Sequence, residues 1–284
     1  MEITLKRLGN YSPLRYPGGK AALAGFLDSV IKAKKLHGSV YVEPYAGGAG
    51  AALTLLFLEK VERVVINDLD PAIYAFWMTA CNEAEWMCEQ IATVPLDVPE
   101  WRRQRTIYLD KESTQRDLGF ALLYLNRTNR SGIVEGYPIG GLDQTGTWKI
   151  DARFNRVTLA DRIRRIGEYS SRIDVLNWDG LAVAEKYLGE NQGLVYLDPP
   201  YFVKGGSLYL NHFDSARHEA LANMLNRYPG SSWLMTYDNV KEIRDLYPDR
   251  TQTAFTLHYS AHSSRQGSEL LIASDSIAKV LQSA

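Results

Sequence analysis

A nine-residue stretch constrains this chain more than any other: Leu194-Val195-Tyr196-Leu197-Asp198-Pro199-Pro200-Tyr201-Phe202. Its first half is short and apolar and follows the polar run 189–193, as a strand buried in a parallel sheet does. Its second half cannot continue the ladder, because neither proline offers an N–H. The stretch therefore predicts a strand that stops abruptly and delivers the Asp198 carboxylate to the carboxyl edge of a sheet. That edge is where open α/β sheets hold ligands. Asp-Pro-Pro-Tyr also has chemistry of its own. Asp198 is an anionic acceptor, Pro199 offers a carbonyl on a stiffened chain and Tyr201 offers a flat ring. A planar amino group on a heterocycle needs two acceptors and a stacking surface. The same four residues also make a simple turn, so the rest of the chain has to decide.

Two further strands with sharp ends precede this one. Val40-Tyr41-Val42-Glu43-Pro44 leads into the small-residue turn Tyr45-Ala46-Gly47-Gly48-Ala49-Gly50 and then a helical run. Strand, small-residue turn and helix form the opening unit of a nucleotide-type fold, in which backbone N–H groups at the helix start point at a ligand. The spacing is not the Gly-x-Gly-x-x-Gly of a hydride cofactor, and there is no Gly-Lys-Ser/Thr of a phosphate loop. Arg63–Asp68 is the next strand, and Asp68 lies about 20 residues beyond the glycines, where an acid holds ribose hydroxyls. Asp70-Pro71 predicts a capped helix start with proline at the first helical position. Upstream, Tyr16-Pro17-Gly18-Gly19-Lys20 is a loop that puts Lys20 at a helix start. A cation is badly placed against the helix dipole there unless it meets an anion.

From Asn82 to Arg172 the alternation of strand and helix ceases. Residues 101–108, 116–125 and 159–171 read as helices, with polar loops at 126–132 and 140–149. Between Trp101 and Arg172 there are 14 Lys and Arg against 8 Asp and Glu, where the remainder has 18 against 25. The net charge of −1 thus conceals a basic insertion on an acidic body, a candidate phosphate-binding surface. Regular α/β structure resumes at residues 173–178. The strands predicted at 253–259 and 269–274 have no helix between them, which predicts an antiparallel pair at a sheet edge. Two cysteines, Cys81 and Cys88, are too few for a disulfide framework, and no spacing suggests zinc. There is no apolar run of about 18 residues, and Met1–Arg7 lacks the apolar core of a secretory signal. The expectation is an intracellular protein with no metal and no membrane partner.

In this order the motifs resemble the Dam-like, alpha-group DNA adenine N6-methyltransferases. Tyr16-Pro-Gly-Gly-Lys20 is similar to the family's aromatic-x-Gly-Gly-Lys segment, and Glu43-Pro-Tyr-Ala-Gly-Gly to its glycine motif. Asp68 is similar to the acid after its second strand, Tyr124-Leu-Asn-Arg127 to the opening of its recognition region, and Asp198-Pro-Pro-Tyr201 to its catalytic motif. The resemblance spans nearly the whole chain. It implies a Rossmann-like class I methyltransferase sheet of seven strands, the last antiparallel, with an inserted, mostly helical target-recognition domain. The expected division is 1–81 and 173–284 for the catalytic domain and 82–172 for the DNA-binding insertion.

The resemblance also implies S-adenosylmethionine as cofactor. Tyr16 and Lys20 would lie at its methionine end, Glu43, Tyr45 and Gly47 along the turn, Asp68 at its ribose, Asn177 and Trp178 at its adenine, and Asp198 at the edge of the site. Asp198, Pro199 and Tyr201 would be catalytic. Arg15, Arg127, Arg130, Ser131, Lys149 and Arg153 are the candidates for contact with double-stranded DNA. Two departures stand out. The glycine motif carries Gly47-Gly48-Ala49-Gly50 in place of Gly-x-Gly. Where GATC-specific members carry Tyr-Asn and then Arg, this chain has Arg130-Ser131 and then Glu135, which implies a different recognition site. The alternatives are a catalytically silent DNA-binding homologue, or transfer to cytosine N4 or to RNA adenine. A cognate restriction endonuclease, and action as a monomer or weak dimer in a bacterial nucleoid or a phage-infected cell, complete the expectations.

Overall fold

The computed structural model describes residues 8–16, 20–202, 213–259 and 265–282. Seven strands form one sheet: β1 (Val40–Glu43), β2 (Arg63–Asn67), β3 (Ile173–Leu176), β4 (Gly193–Leu197), β5 (Trp233–Asp238), β6 (Thr251–Tyr259) and β7 (Arg265–Ala273), in the order β3-β2-β1-β4-β5-β7-β6. β4 is central. It pairs in parallel with β1 (Val42 opposite Val195) and with β5 (Leu197 opposite Met235). β7 runs antiparallel to both β5 and β6. The sheet is therefore the seven-stranded α/β sheet expected from the motifs, with one antiparallel strand. β6 occupies the edge, and β7 inserts between it and β5.

The chain divides into two compact units. One comprises residues 20–69 and 176–282, the other 11–16 and 70–175. This differs from the division expected from sequence. The helix Pro71–Asn82 and the segment 11–16 join the insertion, and the boundary falls within β3.

In the first unit, helices α1 (Ala24–Ala33), α2 (Gly50–Phe57), α8 (Gly180–Glu190), α9 (Ser215–Asn226), α10 (Lys241–Leu246) and α11 (Asp275–Gln282) accompany the sheet. One core cluster joins Val195, Leu197, Trp233 and Met235 of the strands to Val183, Leu188, Leu221 and Leu225 of α8 and α9. All eight are at most 2% exposed. Burying each such side chain stabilises the fold by about 1.5–3 kcal/mol. A short 3-10 turn, Lys20–Leu23, precedes α1 and packs on α2.

In the second unit, α3 (Pro71–Asn82), α4 (Ala84–Thr93), α5 (Val98–Leu109), α6 (Gln115–Thr128) and α7 (Arg156–Glu168) form a helical body. Asp70 caps α3, accepting from Ala72 N at 2.8 Å. α3 belongs here because it packs along α6. A Cβ on Gly119 would lie 2.7 Å from the Ala75 carbonyl oxygen, so glycine is what lets these two backbones meet. α4 was not foreseen: Glu83 gives it no side-chain cap, and packing of Met87, Cys88 and Ile91 holds it. Among the described residues, no helix is long and apolar enough to cross a membrane.

Candidate active site

β4 ends at Leu197, and the next residue, Asp198, emerges at the carboxyl edge of the sheet. Its Oδ1 takes a hydrogen bond from Thr236 Oγ1 on β5 at 2.9 Å. Thr236 in turn shares a 2.7 Å bond with the Tyr196 hydroxyl. With Thr236 donating to the carboxylate, Tyr196 must donate to Thr236, so the two hydroxyls form one chain of donors aimed at Asp198. The same Oδ1 lies 3.2 Å from Lys20 Nζ. The Lys20 ammonium also reaches the Tyr201 hydroxyl at 2.6 Å and Glu269 Oε2 at 3.3 Å. The Tyr201 hydroxyl donates to Glu269 Oε1. Phe202 N closes the turn on Asp238 Oδ1 at 3.1 Å.

The cluster is graded in depth. The side chains of Glu269 and Lys20 are 2% and 5% exposed, whereas that of Asp198 is 23% exposed. Burial pushes both carboxyls above the usual carboxylate range, and Lys20 pulls each partly back. For Glu269 the Asp198 charge adds to the upward push. Two carboxylates and one ammonium thus share one dry corner behind the Asp-Pro-Pro-Tyr turn. Lys20, expected beside a ligand carboxylate, has its ammonium between Asp198 and Glu269. Lys20 and Leu23 are the buried residues of the 3-10 turn, which packs on α2.

Glu43 lies beneath the glycine turn. Its Oε1 accepts from the Tyr41 hydroxyl and from Ala52 N, both at 3.0 Å. It braces the start of α2, and burial raises its carboxyl to about 8. Gly47 and Ala49 both have left-handed backbones, at φ +47° and +44°. Gly47 N donates to Asp68 Oδ2 at 2.9 Å, which ties the turn to the acid at the end of β2. Asn67 spans the next gap, with its amide nitrogen on the Pro44 and Trp178 carbonyls and its oxygen taking Trp178 N at 2.9 Å. Asn177 donates to the Asp68 carbonyl at 2.7 Å. The Trp178 indole is left 51% exposed. Tyr45 packs edge-on to Phe213, and its buried hydroxyl has no hydrogen-bond partner among the described residues. A half-buried acid, a small-residue turn, an open indole and an orphaned hydroxyl together fit a nucleoside-bearing ligand.

The second unit carries Tyr16 and the six residues expected at DNA. Arg15 and Arg127 are drawn into the fold. Arg127 Nε donates to the Pro13 carbonyl at 2.6 Å, and burial, with Arg162 and Arg15 nearby, lowers its guanidinium to about 9. Arg15 is held by Asn126, whose Oδ1 accepts from Arg15 N at 2.7 Å and whose Nδ2 donates to Arg15 O and Gly132 O. Ser131 and Gly132 are both left-handed, at φ +58° and +78°. A Cβ on Gly132 would come within 2.3 Å of Arg15 O. Arg130, Lys149 and Arg153 are exposed. The loop 140–149 is braced by Gln144, whose side chain meets Ile139 O, Gly141 O and Ile150 N. It displays Trp148 at 70% exposure, and Tyr137 stands out at 66%. Sequence reading missed Thr236, Glu269 and these two aromatics. An acid immediately before the apolar run Leu270-Leu271-Ile272-Ala273 was the available signal for Glu269. Residues 17–19 of the lysine motif lie outside the described residues.

This chain belongs to the D12 class N6 adenine-specific DNA methyltransferases, whose family model matches residues 16–264. It is therefore an S-adenosylmethionine-dependent enzyme that methylates adenine N6 in DNA. Among solved structures, a putative RNA methyltransferase from Pyrococcus horikoshii is similar at 10% identity and a TM-score of 0.41, covering 92% of this chain and 86% of that one. An rRNA methyltransferase from Streptomyces viridochromogenes is similar at 12% identity and a TM-score of 0.35, covering 91% and 86%. No curated protein sequence matches the chain.

Proposed function

We propose that Asp198, Pro199 and Tyr201 hold the target adenine and that methyl transfer is direct, without a covalent enzyme intermediate or a metal. An adenine amino nitrogen is a poor nucleophile because its lone pair is delocalised into the ring. Hydrogen bonds from its two hydrogens to the Asp198 carboxylate and the Pro199 carbonyl localise that pair, and Tyr201 stacks on the base once it has left the duplex. Bound S-adenosylmethionine supplies an electrophilic methyl group. Asp68 would take its ribose hydroxyls, Trp178 and Asn177 would border its adenine, and Tyr45 and Gly47 would line the turn. Lys20 and Glu43 act from behind, Lys20 on Asp198 and Tyr201, Glu43 on the turn.

DNA lies on the basic insertion. Arg130, Lys149 and Arg153 reach phosphate or base edges, Ser131 shapes the loop beside them, and Trp148 offers a stacking face. Arg15 and Arg127 order the segment 12–16 beneath. Arg130-Ser131 and Glu135 stand where GATC-specific members carry other residues, so the recognition site is a sequence other than GATC. The observation that carries this reading is the partly open Asp198 carboxylate, fixed by Thr236 and Lys20 at the end of the central strand. The test is Asp198→Asn, with cofactor affinity measured separately from methylation of unmethylated genomic DNA. Retained affinity with lost methylation is expected. Near wild-type methylation overturns the assignment. Mapping methyladenine by single-molecule sequencing gives the site, and GATC would overturn the specificity reading.

A further inference from the structure

Glu269 is a poor choice if stability were all that mattered. It lies in β7 just before Leu270, Leu271 and Ile272 and is 1% exposed. A buried carboxylate is costly unless it is paired. Lys20 pairs it, but Lys20 already pairs Asp198, so one ammonium serves two anions. Tyr201 spends its hydroxyl on Glu269 as well.

The chemistry explains the surplus anion. The N6 lone pair forms the new nitrogen–carbon bond as the sulfur–methyl bond breaks, with that bond's electrons left on sulfur. Positive charge passes to N6, which then gives up one N–H proton to the Asp198 carboxylate. Before that step the cluster of Lys20, Asp198 and Glu269 carries one net negative charge, where positive charge is developing. After it the cluster is neutral, and Lys20 still has a carboxylate. Without Glu269, a protonated Asp198 would leave the buried ammonium with neither of the carboxylates it meets in this cluster. We propose that Glu269 is a positioning residue for methyl transfer: it keeps Lys20 compensated while Asp198 carries the proton, and it fixes the Tyr201 hydroxyl. The inference rests on the role of Asp198 given above.

The experiment compares full-length wild type, Glu269→Gln, Glu269→Asp and Asp198→Asn. Single-turnover methylation of unmethylated genomic DNA, S-adenosylmethionine affinity by calorimetry, and thermal unfolding are measured for each. Glu269→Gln keeps an acceptor for Tyr201 and removes the charge. It is expected to lower the single-turnover rate on the order of 100-fold, with cofactor affinity and KM for DNA within about twofold of wild type. Glu269→Asp restores charge with a shorter reach and should recover about tenfold of that loss. A Glu269→Gln rate within about threefold of wild type, or a rate loss matched by an equal loss of cofactor affinity, overturns the proposal. If Glu269→Gln does not fold, the smaller neutral variant Glu269→Ala decides: a rate within about threefold of wild type overturns the proposal, and a larger loss with unchanged cofactor affinity supports it. An active Asp198→Asn enzyme removes the reading beneath the inference. An inactive one beside a full-rate Glu269→Gln removes the inference alone.

Discussion

The two units use charge in opposite ways. In the sheet unit, Lys20 and Glu269 are withdrawn from solvent, Asp198 is partly open, and one ammonium is shared between two carboxylates at 3.2 and 3.3 Å. In the helical unit, arginines predominate. Arg127, Arg15 and Arg162 spend their guanidinium groups on the backbone carbonyls of Pro13, Asn129 and Ser12, and Arg130, Lys149 and Arg153 face solvent. Low dielectric makes each bond in the first set strong and each loss expensive. Water screens the second set, so its exposed members contribute to association more than to folding. On the function proposed above, one unit would place charge where a bond changes, and the other where a polyanion is met.

Substitutions can break that contrast or sharpen it. The largest effect belongs to Asp198→Asn, with methylation down by about 10³-fold or more and cofactor affinity nearly unchanged. Equal losses in both would mean that Asp198 builds the pocket instead of acting in it. Glu269→Gln comes next, as set out above.

In the helical unit, Asn126→Ala removes the amide that joins Arg15 to Gly132. It should cost about 2–3 kcal/mol in denaturant unfolding, and DNA affinity should fall while cofactor affinity holds. Arg127→Ala at the end of α6 and Arg130→Ala just beyond it sharpen the comparison. The first should lower stability. The second should leave stability alone, weaken DNA binding several-fold and reduce the salt slope by about one. If Arg127→Ala changed only DNA affinity, its inward role would be wrong.

A further prediction is a pH dependence, which touches stability and not the proposed chemistry. The Glu43 carboxyl rises from its ordinary 4.5 to about 8 through burial, so the folded state keeps a proton that the unfolded chain has lost. Stability from this group is complete below about pH 4.5 and declines as pH rises through about 8. Glu43→Gln should flatten that decline by a few kcal/mol in unfolding measured from pH 5 to 8.

Local chemistry made much of this legible. Two prolines without N–H groups end β4, so Asp198 had to stand at a strand terminus. Asp70 and Pro71 announced α3 because capping is a matter of neighbouring residues. Asp68 followed the glycine turn at a nucleotide-fold spacing. Arg127 read as a surface cation because a sequence does not say which arginines find carbonyls. Nothing near Glu269 in the chain names Lys20, 249 residues away, as its partner.

The sequence by itself determined where strands stop, which helices are capped and which family's motifs the chain carries, since these depend on residues a few positions apart. Only the tertiary structure decided that α3 and residues 11–16 belong with the insertion, that Lys20 turns inward, and that β7 inserts between β5 and β6 with Glu269 beside Lys20 and Tyr201. Those outcomes depend on sheet order and on desolvation. Both are properties of the assembled chain, because the strands and charges involved meet only after distant segments have packed.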